Sequence, residues 1–348
     1  MKHKLTKKNI IIISIICVAI IGSLIAYFLL TKKTVAESPK VEETEPVKPK
    51  LKIVDEDSKS RPFAVMINNI STARPYQSGL QDAYLMYEII VEGGITRYLA
   101  VFKDQNTERI GSVRSARHYF IDYAMENDAY YVHWGWSPEA ESDIGKYKID
   151  NLNGLYYEGK YFWRDKSLHV SSEHTGFTSI EKLKNGVDEL NYRKTTNKDL
   201  LLNYSIDEVD LSTLADAIPA TNVTIPFSNS ITSSYTYDAT NKYYLRSVNN
   251  KPHTDYVTKA QYHFKNIITY KVNNTTLSGD TKGRQTIDNI GTGKGYYISN
   301  GYAVPITWSK ESRSAQTIYT YSDGTPIKVN DGNTFIEIEP AIESLTIS

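Results

Sequence analysis

Cysteine is nearly missing from this 348-residue chain: Cys17 is the only one, and it lies inside an apolar N-terminal run. No intrachain disulfide can form, so a fold outside the reducing cytoplasm must rest on core burial and not on cross-links. A cysteine nucleophile after that run is excluded as well. Net charge is missing too, since 40 Lys and Arg balance 40 Asp and Glu. Setting aside Lys2, Lys4, Lys7 and Lys8 leaves a small acidic excess and no basic stripe, which argues against nucleic acid as a partner. There is no Walker-type loop, no G-x-S-x-G elbow and no HExxH or HxxxH spacing. No cofactor and no metal are therefore expected. Gly291-Thr-Gly293-Lys-Gly295 resembles a phosphate loop only superficially; no helical pattern follows, and it reads as a turn before a strand at Tyr296–Ser299.

What is present at the start is a membrane signal. Four lysines in the first eight residues precede an uncharged run from Ile10 to Leu30. At about 1.5 Å rise per residue, such a run crosses the roughly 30 Å hydrocarbon core once. The basic segment 1–9 is expected on the cytoplasmic side, with everything after the run outside. The run is longer than the h-region of a cleaved signal peptide, and Lys32 and Lys33 follow it, so 10–30 reads as an uncleaved signal anchor. Lipid attachment at Cys17 is disfavoured: Ile16 stands where a small residue is needed, and apolar or small residues continue to Leu30. Residues 31–60 carry Pro39, Pro46 and Pro49 among Glu, Lys and Ser. They read as an extended tether, too poor in apolar surface to offset its ordering entropy.

Two domains are expected beyond the tether. Over 61–205, strands at Phe63–Ile67, Ala83–Val91, Ile95–Phe102 and Ala129–Val132 mix with helical stripes, which predicts an α/β or α+β domain with a mixed sheet. A helix is expected over Ser112–Glu126, another after Ser137-Pro138-Glu139, and a third from Thr178 or Ser179 to about Leu190. Over 206–348 the chain turns rich in Thr, Tyr, Val and Ile between Asn-Asn and Asp-Gly turns. That pattern predicts a smaller, mostly antiparallel β domain.

Three groups of residues are candidates for chemistry. Glu88 and Glu92 share a face if the strand runs on to residue 92, and a two-residue Gly93-Gly94 turn pairs Ile90 with Arg97, placing the guanidinium beside them. Two carboxylates and an arginine can act as an acid/base pair with an anion clamp; the competing reading is a solvated ion pair. With Ser112 as N-cap, Arg114, Arg117 and His118 fall in the first turns of a helix, where cations oppose the macrodipole unless an anion binds. The competing reading is internal pairing with Glu88 or Glu92. His133 follows a strand end, and His169 and His174 lie in a loop after Trp163-Arg164. The aromatics Trp134, Trp136, Tyr156, Tyr157, Phe162 and Trp163 suit either a core or the floor of a sugar groove.

The ordered set Ile67-Asn68-Asn69, Ala73-Arg74-Pro75, Gln77-Ser78-Gly79-Leu80, Val91 to Arg97 and Gly111 to Arg117 resembles the YerB family of bacterial lipoproteins. The resemblance continues through Tyr131-Val132-His133, Ser137-Pro138, His174 and Phe177-Thr178-Ser179. It extends to Tyr237-Asp238, Tyr244-Leu245-Arg246, His253-Thr254-Asp255 and Thr307-Trp308-Ser309-Lys310. It implies an N-terminal and a C-terminal domain of unknown function and an exported protein, and it carries no activity. Asn69 and Arg74 join the ligand-binding candidates from this set. The reading is a single-pass envelope protein, its C-terminal domains extracytoplasmic, that binds or processes an anionic or glycan wall polymer. Glu92 and Glu88 are the acid/base candidates, with Arg97, Arg114, Arg117, His133 and His174 around the ligand. The alternative is a non-catalytic scaffold or partner-binding envelope protein in which the Glu/Arg set is structural.

Overall fold

Residues 6–32, 49–340 and 345–348 are described by the computed structural model, and the chain divides into two compact units, Met1–Lys48 and Pro49–Ser348. The first contains one helix, Lys7–Thr31, whose side chains are all exposed and which is long and apolar enough to cross a membrane. Its 25 residues span about 37 Å. Most of the expected tether lies outside the described residues. Its end does not: Leu51 and Val54 are buried, and Asp331 accepts the backbone N–H groups of Lys52 and Ile53 at 2.8 and 3.0 Å.

The second unit is built on an eleven-stranded mixed sheet. In order across it run Ile218–Pro219, Tyr302–Lys310, Gly291–Ser299, Asn266–Val272, Thr334–Pro340, Leu85–Ile90, Thr96–Phe102, Phe63–Asn68, Tyr130–His133 and Asn151–Asn153, with Ile318–Thr320 also paired to Tyr302–Lys310. Thr334–Pro340 is the strand that joins the halves. It runs parallel to Leu85–Ile90 on one side and to Asn266–Val272 on the other. Strands buried on both faces need near-continuous apolar runs, and Phe63–Asn68 and Leu85–Ile90 are of that kind. One face packs against the helices His118–Glu126 and Pro138–Lys146, through Ala64, Met66, Leu99, Phe120 and Ala140 among others. The other, through Val65, Ile67 and Tyr98, packs against the helix Ile180–Glu189 and a second sheet. That second sheet is antiparallel and lies wholly in the C-terminal part: Asn222–Pro226, Thr232–Asp238 and Tyr243–Val248 carry it, with Lys251–Pro252, His263–Phe264 and Thr346–Ile347 at its margins.

Local signals work where local chemistry decides. Ser137 caps its helix, accepting the Ala140 N–H at 3.2 Å with Pro138 at the first helical position, and Ser179 caps the next through the Lys182 N–H. Three local readings need correction. The helix expected from Ser112 starts only at His118, with Arg117 at its N-cap. Residues 112–116 are extended because neighbouring segments take their backbone groups: Val113 N–H goes to Gly176, Arg114 N–H to Met66 and Ala116 N–H to Gly135. Gly291–Gly295 is no turn but the first half of the strand Gly291–Ser299. There a Cβ on Gly295 would stand 2.2 Å from the Thr269 carbonyl oxygen, so the glycine allows the close strand approach.

The third correction is one of register. The hairpin connection is not two residues: it spans Val91 to Ile95, closed by the Val91 N–H to the Ile95 carbonyl at 2.7 Å, with Gly93 and Gly94 both at φ +67°. Ile90 therefore pairs with Thr96, Ile89 with Arg97, and Glu88 with Tyr98. A one-residue slip moves a side chain to the other face. Arg97 leaves the face of Glu88, and Glu92 lies in the connection beyond the strand.

Candidate functional site

Glu88 is fully buried between the two sheets. Its partner is Arg246 of the second sheet, also fully buried, whose Nη2 donates to Glu88 Oε2 at 2.5 Å and to Ser233 Oγ at 2.7 Å. The rest of that guanidinium donates to the hydroxyls of Tyr98 and Tyr235, each at 3.1 Å, and lies 2.8 Å from His253 Nδ1. Thr96 Oγ1 donates to Glu88 Oε1 at 2.5 Å and Asn69 Nδ2 to the same oxygen at 3.3 Å, while Arg74 Nε donates to Asn69 Oδ1 at 2.9 Å. His253 in turn bonds Gln77, which donates to the Asn68 carbonyl at 2.6 Å; Asn68 Nδ2 lies 2.9 Å from His174 Nδ1. A continuous polar chain thus links Asn69, Arg74, Glu88 and His174 of the candidate set to residues of the C-terminal part.

Glu337, beside Glu88 on the adjacent parallel strand, completes this chain by accepting the Tyr235 hydroxyl. Burial and the neighbouring Glu88 carboxylate push the Glu337 pKa well up, against the pull of Arg246. Glu337 is thereby pushed toward its neutral form beside the buried Glu88–Arg246 pair. For Arg246 the cost of burial is outweighed by Tyr98, Tyr235 and the two glutamates, and its pKa rises. Burial and the nearby Arg246 and Arg74 push His253 well down, so it stays neutral.

Glu92 belongs to a different group, at the rim where the strand Phe63–Asn68 ends. Arg117 holds it two-fold, Nε to Oε1 at 2.5 Å and Nη2 to Oε2 at 2.9 Å, and Arg97 Nη2 stands 3.7 Å away. Burial raises the Glu92 pKa, but the Arg117 bonds and the charges of Arg117 and Arg97 prevail and hold it below the usual range. Arg97 Nη1 donates to the Ser115 carbonyl at 2.7 Å; its Nε is buried with no hydrogen-bond partner among the described residues. Burial, with Arg117 and Arg114 close by, lowers Arg97 to about 9. Arg114 pairs with the more exposed Glu173 at 2.6 Å, and that bond lowers the Glu173 pKa.

His133 does not reach solvent. Its Nδ1 is 2.9 Å from the Gly135 carbonyl and its Nε2 is 3.1 Å from Asn151 Oδ1, and burial lowers it to about 4. His174, also buried and lowered by burial, stands 3.7 Å from Glu173. The aromatics divide: Trp134 and Phe162 are core, while Tyr156 is exposed and meets Trp136 edge-on at 5.7 Å. No group of three or more His, Cys, Asp or Glu side chains that could hold a metal occurs among the described residues.

Glu88 and Glu92 thus fall in separate clusters, whereas Arg97 and Arg117 gather on Glu92, with Arg114 and its partner Glu173 near enough to act on the Arg97 charge or feel it. Sequence reasoning missed Arg246, His253 and Glu337. Arg246 interrupts an apolar alternation in Tyr243–Val248 at an inward position, between the buried Tyr244 and Val248; a charge there is the one local signal that pointed to it.

These features define a class: an α/β protein with a helix fit for a membrane, a mixed sheet shared by its N- and C-terminal parts, and a second, antiparallel sheet. Two family models match it, the N-terminal domain of a protein of unknown function (DUF3048) over residues 50–193 and the corresponding C-terminal domain over 223–336. The chain belongs to this family. It is 33% identical over 305 residues to "Putative lipoprotein YerB" of Bacillus subtilis (strain 168), covering 86% of this chain and 87% of the relative. The crystal structure of the YerB protein from Bacillus subtilis aligns with a TM-score of 0.73 at 29% identity, over 85% of this chain and 99% of that one.

Proposed function

We propose that this chain is a single-pass membrane-anchored envelope protein, its folded unit outside the cytoplasm, that binds a phosphate-rich anionic wall polymer of the teichoic type at its arginine rim. The observation that carries this is the charge imbalance at the rim. Three guanidiniums, Arg97, Arg114 and Arg117, answer to two carboxylates, Glu92 and Glu173, and the buried Arg97 Nε has no partner among the described residues. Guanidinium forks match phosphate oxygens, and a partly desolvated site strengthens the match. The lipoprotein name of the Bacillus relative and the apolar helix Lys7–Thr31 support the envelope location.

Binding is favoured over catalysis by the two carboxyls themselves. Glu88 is sealed, and Glu92 is clamped by Arg117 in its ionised form, so neither is poised as a general acid. The scaffold reading draws on the same burial of Glu88 and Arg246, and fits that network better than it fits the rim.

Calorimetric titration of the full chain in detergent micelles with a glycerol-phosphate oligomer tests the proposal. Arg114→Ala and Arg117→Ala should each weaken binding about tenfold, the worth of one charge-assisted bond of roughly 1.5 kcal/mol, and added salt should weaken it further. Absence of saturable binding by the unmodified chain would remove the proposal.

A further inference from the structure

The side of the large sheet that faces the second sheet is covered only in part. Along Thr334–Pro340, Glu337 is sealed beneath Tyr235, but Glu339, two residues on and therefore on the same side, borders an open trough of about 390 Å³. That volume lies within the range of small-ligand sites. The floor of the trough is a cross-strand row, Thr269 beside Tyr296 and Tyr296 beside Pro305, with Lys294 and Thr307 paired in the next row.

Glu339 is 1% exposed. Its Oε1 accepts the Thr269 hydroxyl, while its Oε2 has no hydrogen-bond partner among the described residues. Leaving such an atom unpaired is costly, and a ligand that pairs it recovers that cost. Burial raises the carboxyl's pKa against the Thr269 bond and the Lys271 charge, so it moves toward a form that both accepts and donates.

The rest of the trough narrows the ligand. Lys294 at its edge disfavours a metal ion or an amine, and the described lining residues include no arginine fork to hold a polyanion. Tyr296 and Pro305, partners across adjacent strands, line it with an aromatic ring and an apolar pyrrolidine ring. A pyranose has an apolar face to lay on such rings and hydroxyls that donate and accept at once. We infer that this trough, separate from the arginine rim, binds a ring of a neutral sugar, with Tyr296 and Pro305 beneath it and Glu339 and Lys294 on its hydroxyls.

The full chain in a polyoxyethylene detergent, which carries no sugar headgroup, would be titrated by calorimetry with the N-acetylglucosamine tetramer and with maltotetraose. Saturable binding of at least one is expected. Tyr296→Ala should weaken it tenfold or more, and Thr307→Trp, which fills the trough from a half-buried position, should abolish it. Arg117→Ala should leave it unchanged, so this inference and the anion reading stand or fall separately. Circular dichroism of each variant guards against misfolding, and Lys294→Ala, at an exposed position, gives a further variant expected to weaken binding. The inference is overturned if neither sugar binds the unmodified chain, or if binding survives within twofold in both Tyr296→Ala and Thr307→Trp.

Discussion

Glu88 and Glu92 stand four residues apart, and each is held by arginine, yet their surroundings differ in kind. Glu88 meets Arg246 where neither is exposed, and every polar neighbour comes from within the protein. Glu92 meets Arg117 and Arg97 at a partly open rim where one guanidinium nitrogen has no partner among the described residues. The first arrangement ties the two sheets together through a buried ion pair; the second is the rim at which anion binding is proposed. Residue type alone does not separate these roles. Burial and the completeness of the hydrogen bonding do.

The sharpest way to break the comparison is to leave the sealed anion alone. Arg246→Met should cost about 3–5 kcal/mol, because an uncompensated buried carboxylate remains. Denaturant unfolding of the full chain in micelles measures it, and a loss under about 1 kcal/mol would show that the buried pair contributes little to stability. Replacing both partners, as Glu88→Leu with Arg246→Met, should recover a large part of that loss.

A pH series gives the next effect, and it has opposite signs in the two places. Glu337 has a folded pKa raised above its unfolded value, so its contribution is complete below about 4.5 and is lost as pH rises toward the folded value. Glu337→Gln should therefore gain stability relative to the unmodified chain between pH 5 and 7, by up to about 1.4 kcal/mol per unit. Glu92 is lowered, so its contribution is present above its unfolded value and is lost as pH falls through the folded one. Arg117→Ala should flatten that acid limb and cost about 1 kcal/mol at neutral pH. A parallel pH dependence of both variants would erase the distinction. The smallest change is expected for Arg114→Ala, within about 0.5 kcal/mol, since Glu173 is half exposed; its loss should appear in anion binding instead.

Much of the fold was legible. The strands at Phe63, Leu85, Thr96 and Tyr130 and the caps at Ser137 and Ser179 fall where apolar runs and capping residues placed them. What failed had non-local causes. Arg114 and its neighbours have helical spacing, but Met66, Gly176 and Gly135 claim their backbone N–H groups and hold them extended. The candidate site was legible as a list, with Arg97, Arg114, Arg117 and Glu92 together, and illegible as geometry. Adding residues to the Gly93-Gly94 connection moved Arg97 across the sheet from Glu88.

By itself, then, the amino-acid order determined the capped helix starts at Ser137 and Ser179, most of the strands of the N-terminal part, the apolar helix at the start and the family, because capping, periodicity and hydrophobic length act within a few residues of chain. Only the tertiary structure decided that Thr334–Pro340 lies between strands from distant parts of the chain and that Arg246 reaches Glu88 from 158 residues away. Such pairings depend on which surfaces can exclude water together, and no short window of sequence contains both partners.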